Sequence, residues 1–231
     1  TMVRLSKGYE ALLHPYVDSK GNFGKAFSRD MMWAASRYTE AKLEKICAEL
    51  FADIDKDTLD MVDNFDNSMK EPALLPVTFP SVLVNANTGI AVGMASSICS
   101  FNLEEVCKTT IELLRDPKFD VSETLKAPDF AGGGSFKVRA RYSFDKSNSC
   151  IEITEIPPTT TSEAIIDKVI EKVKAGSLRE ISDIRDETDL SGLKITIDVK
   201  RGTDPDKLMK KLYASTPLQD SFSCNFNVLI N

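Results

Sequence analysis

The second half of the chain most constrains the fold, because four segments of alternating apolar and polar residues are interleaved there with two segments of helical period. The alternating segments are residues 135–144, 150–156, 193–200 and 224–230. Alternation with a period of two is typical of half-buried strands. The resulting order β, β, α, β, α, β predicts an α+β fold, in which a mostly antiparallel sheet carries helices on one face.

Capping residues place the two helices between these strands. Thr160 and Glu163 form a capping-box pattern ahead of a helix that runs to residue 174, and Gly176 is a helix stop. The second helix opens at Asp204-Pro205, because proline is favoured at the first helical position.

The first half of the chain predicts two further helices and a break. Apolar residues recur at helical spacing from residue 39 to residue 54, with Thr39 as the N-cap. Asn102, with Glu105 three residues later, starts a helix that ends near Arg115. Three prolines at positions 72, 76 and 80 forbid a regular helix and predict an extended crossing between two domains.

Composition excludes several classes of function. A single histidine, His14, argues against a histidine metal site or a Ser-His-Asp triad. The five cysteines are scattered without a CxxC pair, as is typical of a reducing, cytoplasmic protein. No apolar run reaches the roughly 18 residues of a membrane span, and we expect no signal peptide. The net charge of −6 argues against an independent DNA-binding domain. DNA binding would require that basic groups cluster on one face, or that other elements supply most of the affinity for DNA.

Several short motifs, in a fixed order, carry a family resemblance. Val17-Asp18 and the turn Gly21-Asn22-Phe23-Gly24 come first, followed by Arg37-Tyr38-Thr39-Glu40 and by residues 83–94, LVNANTGIAVGM. The match continues through residues 127–130, 155–157, 185–187, 199–201 and 212–213. Together these motifs resemble the DNA-cleaving core of the A-type subunit of bacterial type IIA DNA topoisomerases, a family that comprises the A-type subunits of DNA gyrase and of topoisomerase IV.

The resemblance implies two domains. Residues 1–70 would be the C-terminal part of a winged-helix domain that carries the catalytic tyrosine, and residues 71–231 would be a tower domain. The tower would have a shortened glycine-rich loop near 131–135, whose composition alone is that of a flexible linker. The chain lacks the His-Pro-His-Gly recognition segment and the coiled-coil arm of the family, and its segment between Gly24 and Arg37 is slightly longer. We therefore expect a trimmed piece of the breakage-reunion core that is inactive alone.

The resemblance assigns the role of nucleophile to Tyr38, with Arg37 beside it. A phenol ionises near pH ~10, so its attack on a phosphodiester needs a base, a nearby positive charge or a metal. A guanidinium can pair with phosphate oxygens and neutralise charge in the transition state. If Thr39 caps a helix, Tyr38 also lies at the helix entrance, where the dipole favours a phosphate. Without the resemblance, the dipeptide would be a surface cation beside a packing aromatic.

Five further residues are candidate DNA contacts. The resemblance implies that Ile90 intercalates to bend the DNA, with Thr88 in the same motif. The alternation of Ile90, Val92 and Met94 favours instead an ordinary strand packed in the core. Three cations spaced by two residues could contact successive phosphates or could simply solubilise a strand face. They are Lys137, Arg139 and Arg141.

The resemblance also implies the partners and the reaction. A homodimer of A-type subunits would join two B-type subunits in an A2B2 heterotetramer on double-stranded DNA, and the B-type subunit would hold Mg²⁺ and ATP. The complex would cleave both strands through phosphotyrosine links, pass another duplex and reseal the break, which changes supercoiling or linking. The alternative is a non-catalytic DNA-binding or assembly module of the same complex.

We expect no metal on this chain and no membrane association. Carboxylates come closest to a cluster over residues 53–60, in a pattern that is typical of a solvated face. They are Asp53, Asp55, Asp57 and Asp60. The protein would be cytoplasmic and associated with the bacterial chromosome.

Overall fold

The computed structural model describes residues 1–125, 133–189 and 192–227, and it combines helices with antiparallel sheets, which confirms the α+β class. The helices are α1 (Met2–Leu5), α2 (Ile46–Leu50), α3 (Leu103–Arg115), α4 (Ser162–Lys174) and α5 (Pro205–Ser215). The strands are β1 (Val17–Lys20), β2 (Glu40–Leu43), β3 (Met61–Asp63), β4 (Lys70–Pro72), β5 (Asn87–Ala91), β6 (Met94–Ile98), β7 (Gly133–Arg139), β8 (Arg141–Asp145), β9 (Cys150–Glu155), β10 (Ile181–Asp186), β11 (Ile195–Val199) and β12 (Gln219–Asn225).

The main core lies on a four-stranded antiparallel sheet of order β10-β11-β9-β8, called here the core sheet. Alternate residues of β9 and β11 are buried in one apolar cluster together with residues of α4 and α5. The two helices therefore cover the same face of the core sheet, as the sequence predicts. The buried members of the cluster are Ala140, Ile151, Ile153, Ile165, Val169, Leu178, Ile181, Ile195, Ile197, Val199, Leu208, Met209, Leu212 and Leu218.

A second four-stranded sheet, of order β5-β6-β12-β7, replaces part of the single sheet that the sequence predicts. The predicted strand over residues 135–144 divides at Ala140 into β7 of this second sheet and β8 of the core sheet. Ala140 is buried, donates its N–H to the carbonyl of Leu218 at 2.8 Å and accepts from the Tyr213 hydroxyl at 2.8 Å. Because these groups satisfy its backbone, the chain can pass from one sheet to the other at this residue.

The glycine-rich segment at 131–135 is partly strand and not only linker. Gly134 pairs with Cys224 and Ser135 with Ser223, so that backbone pairing with β12 orders residues that have little side chain to pack. Residues 126–132, and with them the motif at 127–130, lie outside the described residues. The strand predicted over 224–230 begins earlier, at Gln219, and residues 228–231 also lie outside the description.

The caps of α3 and α5 confirm the predicted helix starts. The side chain of Asn102 accepts from the N–H groups of Glu104 and Glu105 at 2.9 and 3.2 Å, and α3 ends at the predicted residue. Asp204 caps α5, and Pro205 is its first residue.

The start of α4 differs from the prediction. Thr161, and not Thr160, caps the helix and accepts from the N–H of Ala164 at 3.4 Å. This places Glu163 one position too early to close a capping box, and its carboxylate contacts another segment of the chain. The predicted stop is confirmed, because Gly176 follows the helix with φ of +76°.

The predicted helix over residues 39–54 is wrong. Its first part is β2, which pairs with β1 so that Leu43 lies opposite Val17 and Glu40 opposite Lys20; only α2 is α-helical. Pairing with a strand some twenty residues earlier overrides the local helical spacing. Leu43 is 68% exposed, whereas Cys47 is buried.

Residues 73–80 contain neither helix nor strand, as the three prolines predict. They connect β4 to a 3₁₀ turn at Ser81–Leu83, from which the chain enters the second sheet.

Candidate active site

Tyr38 ends a 3₁₀ turn, Ser36–Tyr38, that leads into β2. Its side chain is 69% exposed, so it is not a packing aromatic within this chain. The guanidinium carbon of Arg37 lies 4.8 Å from the centre of the Tyr38 ring, within the range of a cation–π contact. The structure therefore brings the two predicted catalytic side chains together at an open surface.

The helix entrance expected at Tyr38 is absent. Thr39 has an extended backbone with φ of −127° and ψ of 151°, and its hydroxyl donates to the carbonyl of Ser36 at 2.9 Å. The chain continues as β2, so the helix N-terminus that was expected to favour a phosphate at this point is not formed. The positive charge beside the ring comes from Arg37.

Two glycines of the turn at residues 21–24 allow close approach to the Tyr38 segment. Gly21 has φ of +99°, and a Cβ at this position would lie 2.9 Å from the carbonyl oxygen of Tyr38. Gly24 has φ of +72°, and its Cβ would lie 2.6 Å from the carbonyl oxygen of Met31. A larger residue at either position would push the segment that leads to Tyr38 away from the turn.

Asn22, between these glycines, holds the same segment by hydrogen bonds. Its side chain accepts from the N–H of Gly24 at 2.8 Å and donates to the carbonyl of Met32 at 3.2 Å. Its backbone carbonyl accepts from the N–H of Ala34 at 2.9 Å. The turn is thus a platform for the residues that precede Tyr38.

The motif at residues 83–94 forms the hairpin of β5 and β6. Ile90 lies opposite Ala95, Thr88 opposite Ser97, and Gly93 in the connection has φ of +75°. Ile90 is 88% exposed, so the interpretation as a packed core strand is wrong for the described structure. Every residue of β5 is exposed, whereas Ile98 at the end of β6 is buried. β6 is also held nearer the tip, where the side chains of Asn225 and Asn227 donate to the carbonyl of Ala95 at 2.9 and 2.7 Å.

The three candidate cations do not form a single row. Lys137 and Arg139 lie on β7, whereas Arg141 lies on β8 of the other sheet. Arg139 donates to the side chain of Gln219 at 2.7 Å, and its guanidinium lies 5.3 Å from the ring of Tyr213. Arg141 forms an exposed ion pair of 3.0 Å with Glu155. The prediction that all three cations lie on one strand is therefore wrong, whereas their contact with phosphates stays a prediction.

The family model that describes the A-type subunit of DNA gyrase and topoisomerase IV matches residues 1–231. The chain belongs to this family. The match covers the tyrosine turn and the exposed hairpin alike, and it confirms the resemblance drawn from the motifs.

Individual members of the family match at moderate identity. The A-type DNA gyrase subunit of Mycoplasma genitalium is 38% identical over 252 residues, which cover 100% of this chain and 30% of that protein. The corresponding gyrase subunit of Staphylococcus epidermidis is 37% identical over 254 residues, with 28% of its length covered. The chloroplastic/mitochondrial counterpart of Arabidopsis thaliana is 39% identical over 252 residues, covering 97% of this chain and 26% of its own. The chain therefore spans less than a third of the length of these relatives.

The described residues contain one group of side chains with the spacing of metal ligands, Asp145, Cys150 and Glu152, whose ligand atoms lie within 4.8 Å of one another. Both carboxylates already have partners. Asp145 accepts from the N–H of Ser147 at 2.8 Å, and Glu152 pairs with Lys194 at 2.9 Å. Burial raises the pKa of the Cys150 thiol, which disfavours the thiolate that a metal needs. We assign no metal to this group.

Within the described ranges, no helix combines the length and apolar character that crossing a bilayer requires.

Two residues near the site have contacts that sequence reasoning missed. Asn85, in the hairpin motif, is buried, bonds both the N–H and the carbonyl of His14 at 2.9 Å, and donates to the Tyr16 hydroxyl at 3.0 Å. The signal in the sequence that could have indicated this contact is the polar Asn85 directly after the apolar residues Leu83 and Val84. Glu163 binds the segment before Tyr38 from 135 residues away, and no local pattern indicates that contact.

Proposed function

We propose that this chain is the part of an A-type subunit of a type IIA topoisomerase that carries the DNA-cleaving nucleophile, Tyr38. Membership of the gyrase/topoisomerase IV family supports the class of enzyme. The observation that carries the residue assignment is an exposed phenol with a guanidinium 4.8 Å from its ring. In this proposal residues 1–70 belong to a winged-helix domain and residues 71–231 to a tower domain.

The proposed reaction is a reversible transesterification. The Tyr38 oxygen attacks a backbone phosphorus, a P–O bond to the tyrosine forms, and the P–O bond to one deoxyribose breaks. The tyrosine proton passes to a base, and the leaving sugar oxygen takes up a proton. Arg37 neutralises charge on the phosphate oxygens in the transition state. The phosphotyrosine conserves the energy of the broken bond, so attack by the sugar hydroxyl reseals the strand without a new donor.

The hairpin of β5 and β6 supports a second part of the proposal, a wedge that bends the DNA. Apolar wedges unstack a base step at a cost of a few kcal/mol and must project from their mount. Ile90 is 88% exposed and Val92 at the tip is 104% exposed. Thr88 shares the face of Ile90, two residues along β5, and would contact the adjacent sugar-phosphate backbone.

The remaining contacts would position the duplex and not read its sequence. Lys137, Arg139 and Arg141 are exposed and are proposed to contact phosphates from the two sheets. Because the net charge of the chain is −6, this region would supply chemistry and bending while other parts of the complex supply most of the grip.

We further propose the partners of the intact enzyme. Two A-type subunits would form a homodimer and join two B-type subunits, which would hold Mg²⁺ and ATP, on double-stranded DNA. The enzyme would pass a second duplex through the break, in the cytoplasm and on the bacterial chromosome.

The decisive experiment uses the full-length A-type subunit with its B-type partner, Mg²⁺ and supercoiled plasmid. Denaturation by detergent during turnover should trap protein covalently on DNA in the wild type and none in Tyr38→Phe. Tyr142→Phe is the matched control, since it removes a tyrosine hydroxyl that donates to Asp206 at 2.8 Å in the tower, and it should form adducts normally. Adducts formed by Tyr38→Phe would favour the non-catalytic alternative. Supercoiling of relaxed plasmid, compared with decatenation, distinguishes a gyrase from a topoisomerase IV.

A further inference from the structure

Glu163 lies in the first turn of α4, and its carboxylate binds a turn that precedes it by 133 to 135 residues. Its Oε1 accepts from the hydroxyl of Ser28 and from the N–H of Asp30 at 3.3 Å. Its Oε2 accepts from the N–H of Arg29 at 3.0 Å. Both carboxylate oxygens are therefore occupied by one short segment. We call these contacts, between Glu163 and residues 28–30, the Glu163 clasp.

A neighbouring backbone contact and the electrostatics support the clasp. The N–H of Ser162 donates to the carbonyl of Phe27 at 2.8 Å, beside the carboxylate contacts. Partial burial alone would raise the pKa of Glu163. The hydrogen bonds from Ser28, Arg29 and Asp30 outweigh it and lower the pKa to about 2. The carboxylate is thus charged and engaged throughout the physiological pH range.

The clasped turn begins ten residues before Tyr38, and separate hydrogen bonds restrain the segment between them. The Ser28 hydroxyl that donates to Glu163 also accepts from the N–H of Met31 at 3.1 Å. Three residues further on, Ala34 donates to the carbonyl of Asn22 at 2.9 Å. The turn that ends at Tyr38 follows directly. The segment between Gly24 and the tyrosine is therefore restrained by Asn22 and by the start of α4, through Ser162 and Glu163. It is also bonded near its beginning, where the N–H of Ala26 donates to the carbonyl of Tyr9 at 2.8 Å.

We propose that Glu163 is a positioning residue for the Tyr38 nucleophile, and that it acts by fixing the turn at residues 28–30 on the end of α4. This inference rests on the proposed function. Displacement of a reacting group by about 1 Å can cost about a hundredfold in rate. Because the Asn22 contacts remain when the clasp is lost, we expect a smaller effect, about tenfold.

The test measures single-turnover cleavage by the full-length A-type subunit with its B-type partner, on a short duplex at saturating concentration. Glu163→Ala should cleave about tenfold more slowly, with DNA affinity and melting temperature close to those of the wild type. Glu163→Gln keeps one acceptor oxygen, so its cleavage rate should lie between those of the wild type and Glu163→Ala. Ser28→Ala removes the same contact from the other side and should slow cleavage in the same direction. The double variant should be slowed by less than the product of the two single effects, because the Ser28–Glu163 hydrogen bond is lost in both single variants and can be lost only once. Any slowing beyond that of Glu163→Ala would come from the Met31 N–H, which loses its acceptor only when Ser28 is changed.

Glu171→Ala is the control on the same helix, since its carboxylate pairs with Lys168 at 2.7 Å and not with the turn; it should cleave at the wild-type rate. Wild-type cleavage by both Glu163→Ala and Ser28→Ala would overturn the inference. A rate that falls only in proportion to lost DNA binding would also overturn it. If Glu163→Ala does not fold, Ser28→Ala decides alone. Failure of the proposed function is a separate result, since it would appear as covalent adducts in Tyr38→Phe.

Discussion

The core sheet and the Tyr38 segment keep their shapes by different means. The core sheet buries one apolar cluster that runs from Ala140 to Leu218, with both long helices of this region packed on it. The Tyr38 segment is mostly exposed, and it is held by polar contacts from Asn22 and Glu163 and by a close backbone approach at Gly21. A reactive group on an open segment can meet a large substrate, provided that a rigid unit fixes its position. The clasp joins the two regions.

The largest effect on stability should come from the core sheet. Ile153→Ala empties a fully buried position and should lower the free energy of unfolding by about 2–5 kcal/mol. Leu43→Ala, on exposed β2 beside the tyrosine turn, should change it by less than about 0.5 kcal/mol. Urea unfolding of the 231-residue chain measures both. If both variants lost the same free energy of unfolding, the contrast between the apolar core sheet and the exposed Tyr38 segment would be contradicted.

A smaller effect should follow from Gly21→Ala in the platform. A residue with a Cβ at φ of +99° is strained by about 1–3 kcal/mol, and the Cβ would also lie 2.9 Å from the Tyr38 carbonyl oxygen. We expect lower stability together with slower DNA cleavage by the full-length enzyme. Gly202→Ala is the control, because φ there is +82° but an added Cβ meets nothing within 4 Å. It should share the strain and leave cleavage unchanged.

The Glu163 clasp should contribute about 1 kcal/mol to the free energy of unfolding, and this contribution should be sensitive to acid. The value is small because the carboxylate is partly exposed and water screens its charge. Folding lowers the pKa of Glu163 from 4.5 to about 2, so its stabilisation is complete above pH 4.5 and is lost as the pH falls toward 2. Arg29, whose backbone N–H binds Glu163, interacts electrostatically with Glu163, Asp30 and Asp167. Unfolding of wild type and Glu163→Gln at pH 7, 5 and 3.5 should show a difference that shrinks on acidification. A difference that grows would contradict this assignment.

The sequence predicts the packed region well for a physical reason. A strand with one buried face alternates, and a capped helix carries its signals at its ends, so β9, β11 and the starts of α3 and α5 can be found locally. The helix predicted over residues 39–54 is wrong because β1 pairs with that segment from outside the local window. The division at Ala140 escapes prediction for a related reason, since its partner Leu218 is distant along the chain.

The candidate site is less accessible to reasoning from patterns. Its residues come from a family resemblance, and periodicity alone favours a core position for Ile90, which is 88% exposed. Alternation indicates a strand but does not show whether a second layer covers it. Glu163 carries a misleading signal, because its spacing from Thr160 imitates a capping box. Contacts between distant segments leave no period in a sequence.

The smallest effect on stability should come from Ile90→Ala. This variant should also show most clearly that an exposed residue can matter for DNA bending without contributing to the fold. Because this side chain projects from the hairpin, its loss should change the free energy of unfolding by less than about 0.5 kcal/mol. The DNA bend, measured by energy transfer between the ends of a labelled duplex bound to the full-length complex, should nevertheless decrease markedly. Ile170→Ala, at a 36% exposed position on α4, makes the same chemical change away from the hairpin and should leave the bend intact. A normal bend with Ile90→Ala would remove the wedge from the mechanism. It would leave the role of Tyr38 untouched, because that assignment is carried by the exposed phenol and the guanidinium beside it and not by the hairpin.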